Sequence, residues 1–353
     1  MKSYLVSSKD LERFEEKLFE AVGLRAADAH SVAALLVHAD LRNVRSHGVL
    51  RTKPYLDKIL GGGAKKDSTY EVVHETPNTA VIDAAGGLGA LAGEKAVKLA
   101  REKAKAHGIG MVSVRNSNHF GMGGHWALKL AGDEMIGFAC STTDLTMGPP
   151  NCKMPFMGNN PFSIAFKACD AYPEVCVDMA TSGVALGKAK DLDKRGLPIP
   201  SGWMLDKDGN DTTDIQKCFM MVPMAGHKGF GIAFAIELFA TLLSGGVLSP
   251  DVNNQDLTDT PELSSQCFAC FDIAAFRDLE QFRKDAGAYI ERLHALPMKP
   301  DAGKAKYPGE IEYRNKLANL SRGIELPEAL ADELEELGKQ LHVDSRFLKE
   351  QTL

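Results

Sequence analysis

The spacing of apolar residues along this 353-residue chain changes period twice. From Ser8 to Arg42 they recur at helical intervals. "SSKDLERFEEKLFEAVG" opens with capping serines and closes on Gly23, and "RAADAHSVAALLVHADLRNV" continues the period, so two helices are predicted. "VLRTKPYLDKILGG" predicts a third, ending at glycines suited to a C-terminal cap. Near Tyr70 the period shortens. "YEVVHETPNTAVIDAAG" predicts two strands around a Pro-Asn turn, and "ALAGEKAVKLAREKAKAHG" a helix with a lysine-rich face. "GIGMVSVRNSN" has no polar alternation before Arg115, which predicts a buried strand. "MIGFACSTT", "FSIAFKA" and "VCVDMATS" read as three more short strands. From Asp278 to Lys349 the chain returns to charged amphipathic helix. The pattern is that of an α/β protein with helical ends and no internal repeat.

The longest apolar stretch, "GFGIAFAIELFATLLSGG", carries Glu237 at its middle. A carboxylate there is costly in hydrocarbon, so a buried helix is expected and no membrane span. The N-terminus lacks the apolar core of a signal peptide. A net charge of -6 without a basic run argues against nucleic acid and acidic membranes as partners. The seven scattered cysteines are odd in number, which suits a reducing, cytoplasmic location. Cys267 and Cys270 form a CxxC with no second pair or nearby histidine, so they are read as buried thiols and no metal is expected.

Candidate chemistry sits in four short polar runs. "RSHGVLR" sets Ser46 and His47 before Arg51; on one helical turn the ring and guanidinium would share a face. An imidazole can exchange a proton near neutral pH, and a guanidinium can grip a carboxylate with two parallel bonds. "VRNSNHFGMGGHW" ends an apolar strand on Asn116, Ser117, Asn118 and His119, then gives glycines that let a ligand approach the backbone, as at a pocket mouth; His125 is expected to pack. "CVDMATSGVALGKAK" delivers Asp178, which could accept from a ribose or an amide, or cap the helix that follows. "GHKGFGIAF" puts Lys228 at a glycine-rich helix start but lacks the Walker pattern. "VIDAAGGLGALAG" has the outline of a Rossmann phosphate loop, yet the next strand ends in Arg115 and Asn116 where the ribose acid should stand; it is read as a plain strand-turn-helix. Two histidines, an arginine and a lysine suit oxidation of a 2-hydroxy acid by a nicotinamide cofactor. A metal-dependent lyase using His47, His119 and Asp178 is the rival, without HxH or HExxH spacing to support it.

In order and spacing, "RSHGVLR", "NSNHFG", "GNNPFSIAF", "DMATS", "GHKGFG" and "YPGE" resemble the malate/L-lactate dehydrogenase family of NAD(P)-dependent oxidoreductases, over nearly the whole chain. The resemblance implies a non-Rossmann nucleotide-binding domain with a mixed sheet over 76–309, beside a helical domain formed by both chain ends, 1–75 and 310–353. It implies a homodimer, NAD or NADP as cofactor, and a small 2-hydroxy or 2-oxo acid as substrate, malate or lactate first. Reduction of a cyclic imine or a diketo sugar acid is the alternative on this fold. It implies catalytic roles for Ser46, His47, His119 and an acidic partner, Asp193 or else Asp191. Arg51 would hold the substrate carboxylate, near Asn159, which stands where the family usually has threonine. The implied cofactor residues are His119, Phe120, Gly121, Met122, Gly123, Thr143, Asp178, Met179, Ala180, Leu186, Gly187, Lys228, Gly229, Pro308, Gly309 and Glu310.

Overall fold

The computed structural model describes residues 2–194 and 196–352, the side chains of Asp191 and Lys194 excepted. The chain begins with β1 (Ser3–Val6), α1 (Ser8–Ala21), α2 (Ala26–Leu41) and α3 (Thr52–Leu60). It continues through β2 (Glu71–Glu75), β3 (Thr79–Asp83), α4 (Gly89–His107), β4 (Ile109–Ser117), α5 (Gly123–Ala131), β5 (Met135–Ser141), β6 (Phe162–Phe166) and β7 (Val175–Met179). A small lobe follows, with α6 (Leu186–Lys194), β8 (Met204–Leu205), β9 (Asp211–Thr212) and β10 (Met220–Met221). The last elements are α7 (His227–Glu237), β11 (Ser264–Asp272), α8 (Leu279–His294), α9 (Glu310–Arg322), β12 (Ile324–Pro327) and α10 (Glu328–Gln340).

The main sheet has seven strands in the order β2-β3-β4-β11-β5-β6-β7. Only β3 and β4 run parallel among the described strands, joined by α4; every other pairing is antiparallel. The α/β class and the mixed, non-Rossmann sheet therefore match the sequence reading. The run "GGLGA" before α4 serves packing. A side chain at Gly89 would overlap the carbonyls of Asn118 and His119, so glycine lets α4 start against the end of β4.

Several elements differ from the expectations. β1 and β12 pair antiparallel and tie the two chain ends together, where only helices were expected. β2 belongs to the main sheet, so a helical unit running to residue 75 overreaches into it. β11, which the apolar pattern did not single out, is central and buried along nearly its whole length. Cys267 faces Cys140 across the β11–β5 pairing, and all seven cysteines are free thiols. The apolar stretch at α7 is not a buried helix within one chain. Its carboxylate points inward: Glu237 is buried and accepts from Ser249 and Asn160. Phe234, Leu238, Phe239, Leu242 and Leu243 point outward, Leu243 being 59% exposed. Among the described residues no helix is long and apolar enough to cross a membrane.

The polar end of β4 also departs from its expected role. Asn116 donates to Asp83, and Ser117 is buried. Asn118 is buried as well. Its Nδ2 donates to the carbonyls of Gly63, Gly86 and Gly87 (3.3, 3.0 and 3.0 Å), and its Oδ1 accepts from Glu262 N at 2.9 Å. One amide thus joins three loops directly beside His119. Asn118→Ala should cost on the order of 3 kcal/mol by leaving these buried groups unpaired. A urea midpoint equal to that of the wild type would show the tie to be dispensable.

Candidate active site

The loop between α2 and α3 is shaped from below by Asp40, a buried residue near the end of α2. Its Oδ2 accepts from Val49 N at 2.7 Å, and a side chain at Gly48 would overlap this carboxylate. The backbone at Gly48 is extended, and it splits the run into two short 3-10 turns, Arg45–His47 and Val49–Arg51. His47 and Arg51 therefore do not share one α-helical turn, as the spacing had suggested. They still meet. Arg51 Nε donates to Ser46 O at 2.9 Å, and Ser46 Oγ and His47 Nδ1 are hydrogen-bonded at 2.9 Å.

His119 arrives from the end of β4. Its ring stacks on His47 with centroids 5.5 Å apart and planes 25° apart. Tyr55 Oη, on α3, lies 2.7 Å from His119 Nδ1, which also accepts a long hydrogen bond from Gly121 N at 3.4 Å. These contacts fix the ring and leave Nε2 as the nitrogen available to a ligand. Burial, reinforced by the Arg51 charge, lowers the pKa of His47 to about 4 and holds that of His119 well below its ordinary value. Both rings are therefore neutral at physiological pH, and a neutral ring is the form that accepts a proton.

Ser46, His47, Arg51, His119, Phe120, Gly121, Met122, Gly123, Thr143, Asn159, Asp178, Met179, Ala180, Leu186 and Gly187 line one cleft of about 290 Å³. A second cleft of about 320 Å³ shares Val44, Met122, Asp178 and Met179 with the first and continues to Pro308 and Gly309. Through these shared residues the two form one trough. Asp178 stands in their common wall. It is a helix cap, as one reading of the sequence allowed, but of a different helix: Oδ2 accepts from Gly124 N at 2.9 Å in the first turn of α5, and Oδ1 from Ser163 Oγ. Burial raises its pKa despite those bonds.

Some sequence candidates lie elsewhere. Asp193 is exposed, two turns beyond the part of α6 that meets the cleft, and does not line it; the side chain of Asp191 lies outside the described residues. Lys228 is exposed at the start of α7 and is absent from both cleft walls. Gly229 is buried at a packing contact, where a side chain would crowd the Met224 and Thr181 carbonyls. Glu310 is buried beneath the second cleft and pairs with His294 at 3.0 Å and Arg314 at 2.5 Å. His47, His119 and Asp178 do not form a metal-ligand group; among the described residues the three-ligand grouping is Glu12, Glu16 and His30, none of which lines the trough.

Sequence reasoning missed Tyr55, Asp144 and Gln255. Tyr55 lies four residues after Arg51, and that helical spacing was a usable signal. Asp144 and Gln255 reach the cleft from loops with no periodic or motif cue.

A protein-family model for malate/L-lactate dehydrogenase matches residues 6–335. A malate dehydrogenase of Pyrococcus horikoshii is 34% identical over 97% of this chain and 97% of its own length. An L-sulfolactate dehydrogenase of Methanocaldococcus jannaschii is 33% identical over 90% and 92%. Among solved structures, a malate dehydrogenase from Entamoeba histolytica superposes with a TM-score of 0.92 at 27% identity, covering 97% of this chain and 99% of that one.

The depressed histidine pKa values carry a stability signature. The folded pKa of His47, about 4, lies below the ordinary value of 6.5. Its contribution is thus present above pH 6.5 and is lost as pH falls toward the folded value, because the unfolded chain takes up the proton first. His47→Asn removes this group. The wild type should lose stability relative to the variant by at most about 1.4 kcal/mol per pH unit as pH falls from 6.5 toward 4. Urea melts across that window test it, and a pH-independent difference between the two proteins would count against a buried neutral ring.

Proposed function

We propose that this chain, which belongs to the malate/L-lactate dehydrogenase family, uses its trough to transfer hydride between a nicotinamide dinucleotide and a small 2-hydroxy acid or its 2-oxo counterpart. The observation that carries this reading is the meeting of two neutral, stacked histidines and an arginine without an ion-pair partner among the described residues at one end of a long trough. Malate is the first substrate to test, since malate dehydrogenases stand among its most similar relatives.

The trough suits the cofactor in form and chemistry. Its two connected compartments suit a two-ended molecule, and Arg42 in the second has a buried Nη1 with no hydrogen-bond partner. Phe120, Gly121, Met122, Gly123, Thr143, Met179, Ala180, Leu186 and Gly187 would contact the nicotinamide half, and Pro308 and Gly309 the adenosine half. When bound, the nicotinamide ring supplies the acceptor for hydride leaving the alcohol carbon.

The remaining roles belong to this chain's side chains. Arg51 holds the substrate carboxylate with its terminal nitrogens, while its Nε stays on Ser46 O and fixes the fork's direction. The hydroxyl proton passes to the histidine pair. His47, whose Nδ1–H donates to Ser46 Oγ, receives it on Nε2, while His119, whose Nδ1 accepts and whose Nε2 therefore carries the ring proton, stacks against it and donates to the substrate oxygen. Asn159 and Thr143, hydrogen-bonded to each other at 3.2 Å, face the rest of the substrate. Burial around the rings keeps them neutral until a substrate proton arrives.

We further propose a homodimer joined through the outward apolar face of α7 and the turn that follows it. That face presents large apolar side chains to solvent in the single chain, the kind of surface a symmetric partner covers.

Arg51→Met should raise the Michaelis constant for the acid by roughly a hundredfold, the scale of losing a charge-assisted, bidentate pair, with a much smaller change for the dinucleotide. Equal effects on both would remove Arg51 from carboxylate binding. Leu242→Glu should shift the mass in sedimentation from two chains to one; an unchanged mass would place the subunit contact elsewhere.

A further inference from the structure

At the far compartment of the trough, the groups open to a ligand are hydrogen-bond acceptors. Its charged wall consists of Arg42, Glu174, Asp178 and Glu312. Arg42 is the cation of that wall, yet it is only 2% exposed and its guanidinium is paired with Glu174. Glu174 also takes Lys316 Nζ at 2.5 Å. Asp178 is engaged by Ser163 and Gly124. Glu312 differs from all of these. It stands in the first turn of α9, lines the compartment, is half-buried, and has no hydrogen bond or ion pair among the described residues. The unpartnered, buried Nη1 of Arg42 in the same wall marks this as a place built for a polar ligand and not merely an acidic surface.

We propose that Glu312 makes the site selective for a dinucleotide whose adenosine ribose carries a free 2′,3′-diol, that is, for NAD over NADP. The inference rests on reading the trough as a dinucleotide site. A vicinal diol offers two O–H donors, and a carboxylate accepts both in the bidentate manner that suits its two oxygens. A 2′-phosphate is the opposite in every respect. It brings further negative charge and acceptor oxygens, and it requires an accessible fork of cationic donors. Among the described residues the wall holds no such fork: Arg42 is sunk beneath the surface, its Nη2 is taken by Glu174, and the single unpartnered Nη1 cannot make a two-point grip. A phosphate would meet an unneutralised carboxylate at Glu312, while Arg42 and Lys316, the cations nearby, are already engaged by Glu174. Like charges beside a half-buried carboxylate are only partly screened, so discrimination arises from repulsion of the wrong cofactor as much as from bonds to the right one.

The test is binding to the full chain in the absence of any substrate. NADH and NADPH are titrated separately, followed by calorimetry and by nicotinamide fluorescence excited through the protein. NADH should bind at least about tenfold more tightly. High salt should narrow the ratio by weakening the repulsion of NADPH. Glu312→Gln should bring the two affinities toward equality, and Glu312→Arg should invert the preference, each with a circular-dichroism spectrum like that of the wild type. Wild-type protein binding NADPH as tightly as NADH, or more tightly, would overturn the proposal, and that measurement needs no variant. A ratio unchanged in a folded Glu312→Gln protein would overturn the role of Glu312. Failure of both dinucleotides to bind would instead refute the reading of the trough itself, and the selectivity with it.

Discussion

The active-site loop depends on one buried carboxylate, that of Asp40. Where α2 ends, its oxygens accept the Val49 amide and fill the space that any side chain at Gly48 would need. This bends the backbone between two short turns and so sends His47 and Arg51 into the same cleft from separate turns. Glu15 lies close by, buried and accepting from Thr52 at 2.7 Å. Burial raises the pKa of Asp40 to about 7 and that of Glu15 to about 8, with the Asp40 charge adding to the rise at Glu15. Two carboxyl groups are thus held beneath the loop in a place where a charge is costly, and the amide and hydroxyl bonds to them offset part of that cost.

The opposite wall is built by a similar economy of contacts. Tyr55 aims His119, Asn118 fixes the strand end that carries it, and Asp178 joins β7, β6 and α5 at the boundary between the two compartments. These groups are buried and hydrogen-bonded within the protein, so the cleft keeps its shape without a ligand to organise it. The polar side chains that line the cleft include the two histidines, Arg51, Thr143, Asp144, Asn159 and Gln255, beside the edges of glycine-rich loops.

Much of this was legible in the chain. Strands flanked by Gly and Pro, and helices with a clear period, appeared where the pattern put them, and the histidines and Arg51 stood out by residue type. The failures have physical causes. β11 is buried on both faces, so it shows no alternation, and although its cysteines were expected to be buried thiols nothing marked the segment as a strand. β1 and β12 are four residues each and gain their structure from one another and, for β1, from the chain end near Thr352, across the length of the chain. The polar run Asn116-Ser117-Asn118 looked like a pocket mouth, because sequence cannot tell an amide that meets a ligand from one that meets three backbone carbonyls. α7 reversed the usual rule: its single carboxylate is inside and its large apolar residues are outside. Hydrophobicity alone says that such a helix must be covered, and it cannot say by what.

The amide of Asn118 has a consequence for how this scaffold can diverge. The loops around residues 63, 86 and 262 are far apart in sequence but share that single side chain. Lengthening one of them would pull on the other two and on the strand end that delivers His119. Insertions should accordingly accumulate on the small lobe around α6, which closes over its own apolar cluster of Ala189, Ile199, Met204 and Met221, and be rare beneath the imidazoles. New specificities would then arise from the rim of the trough, over a floor that hardly changes.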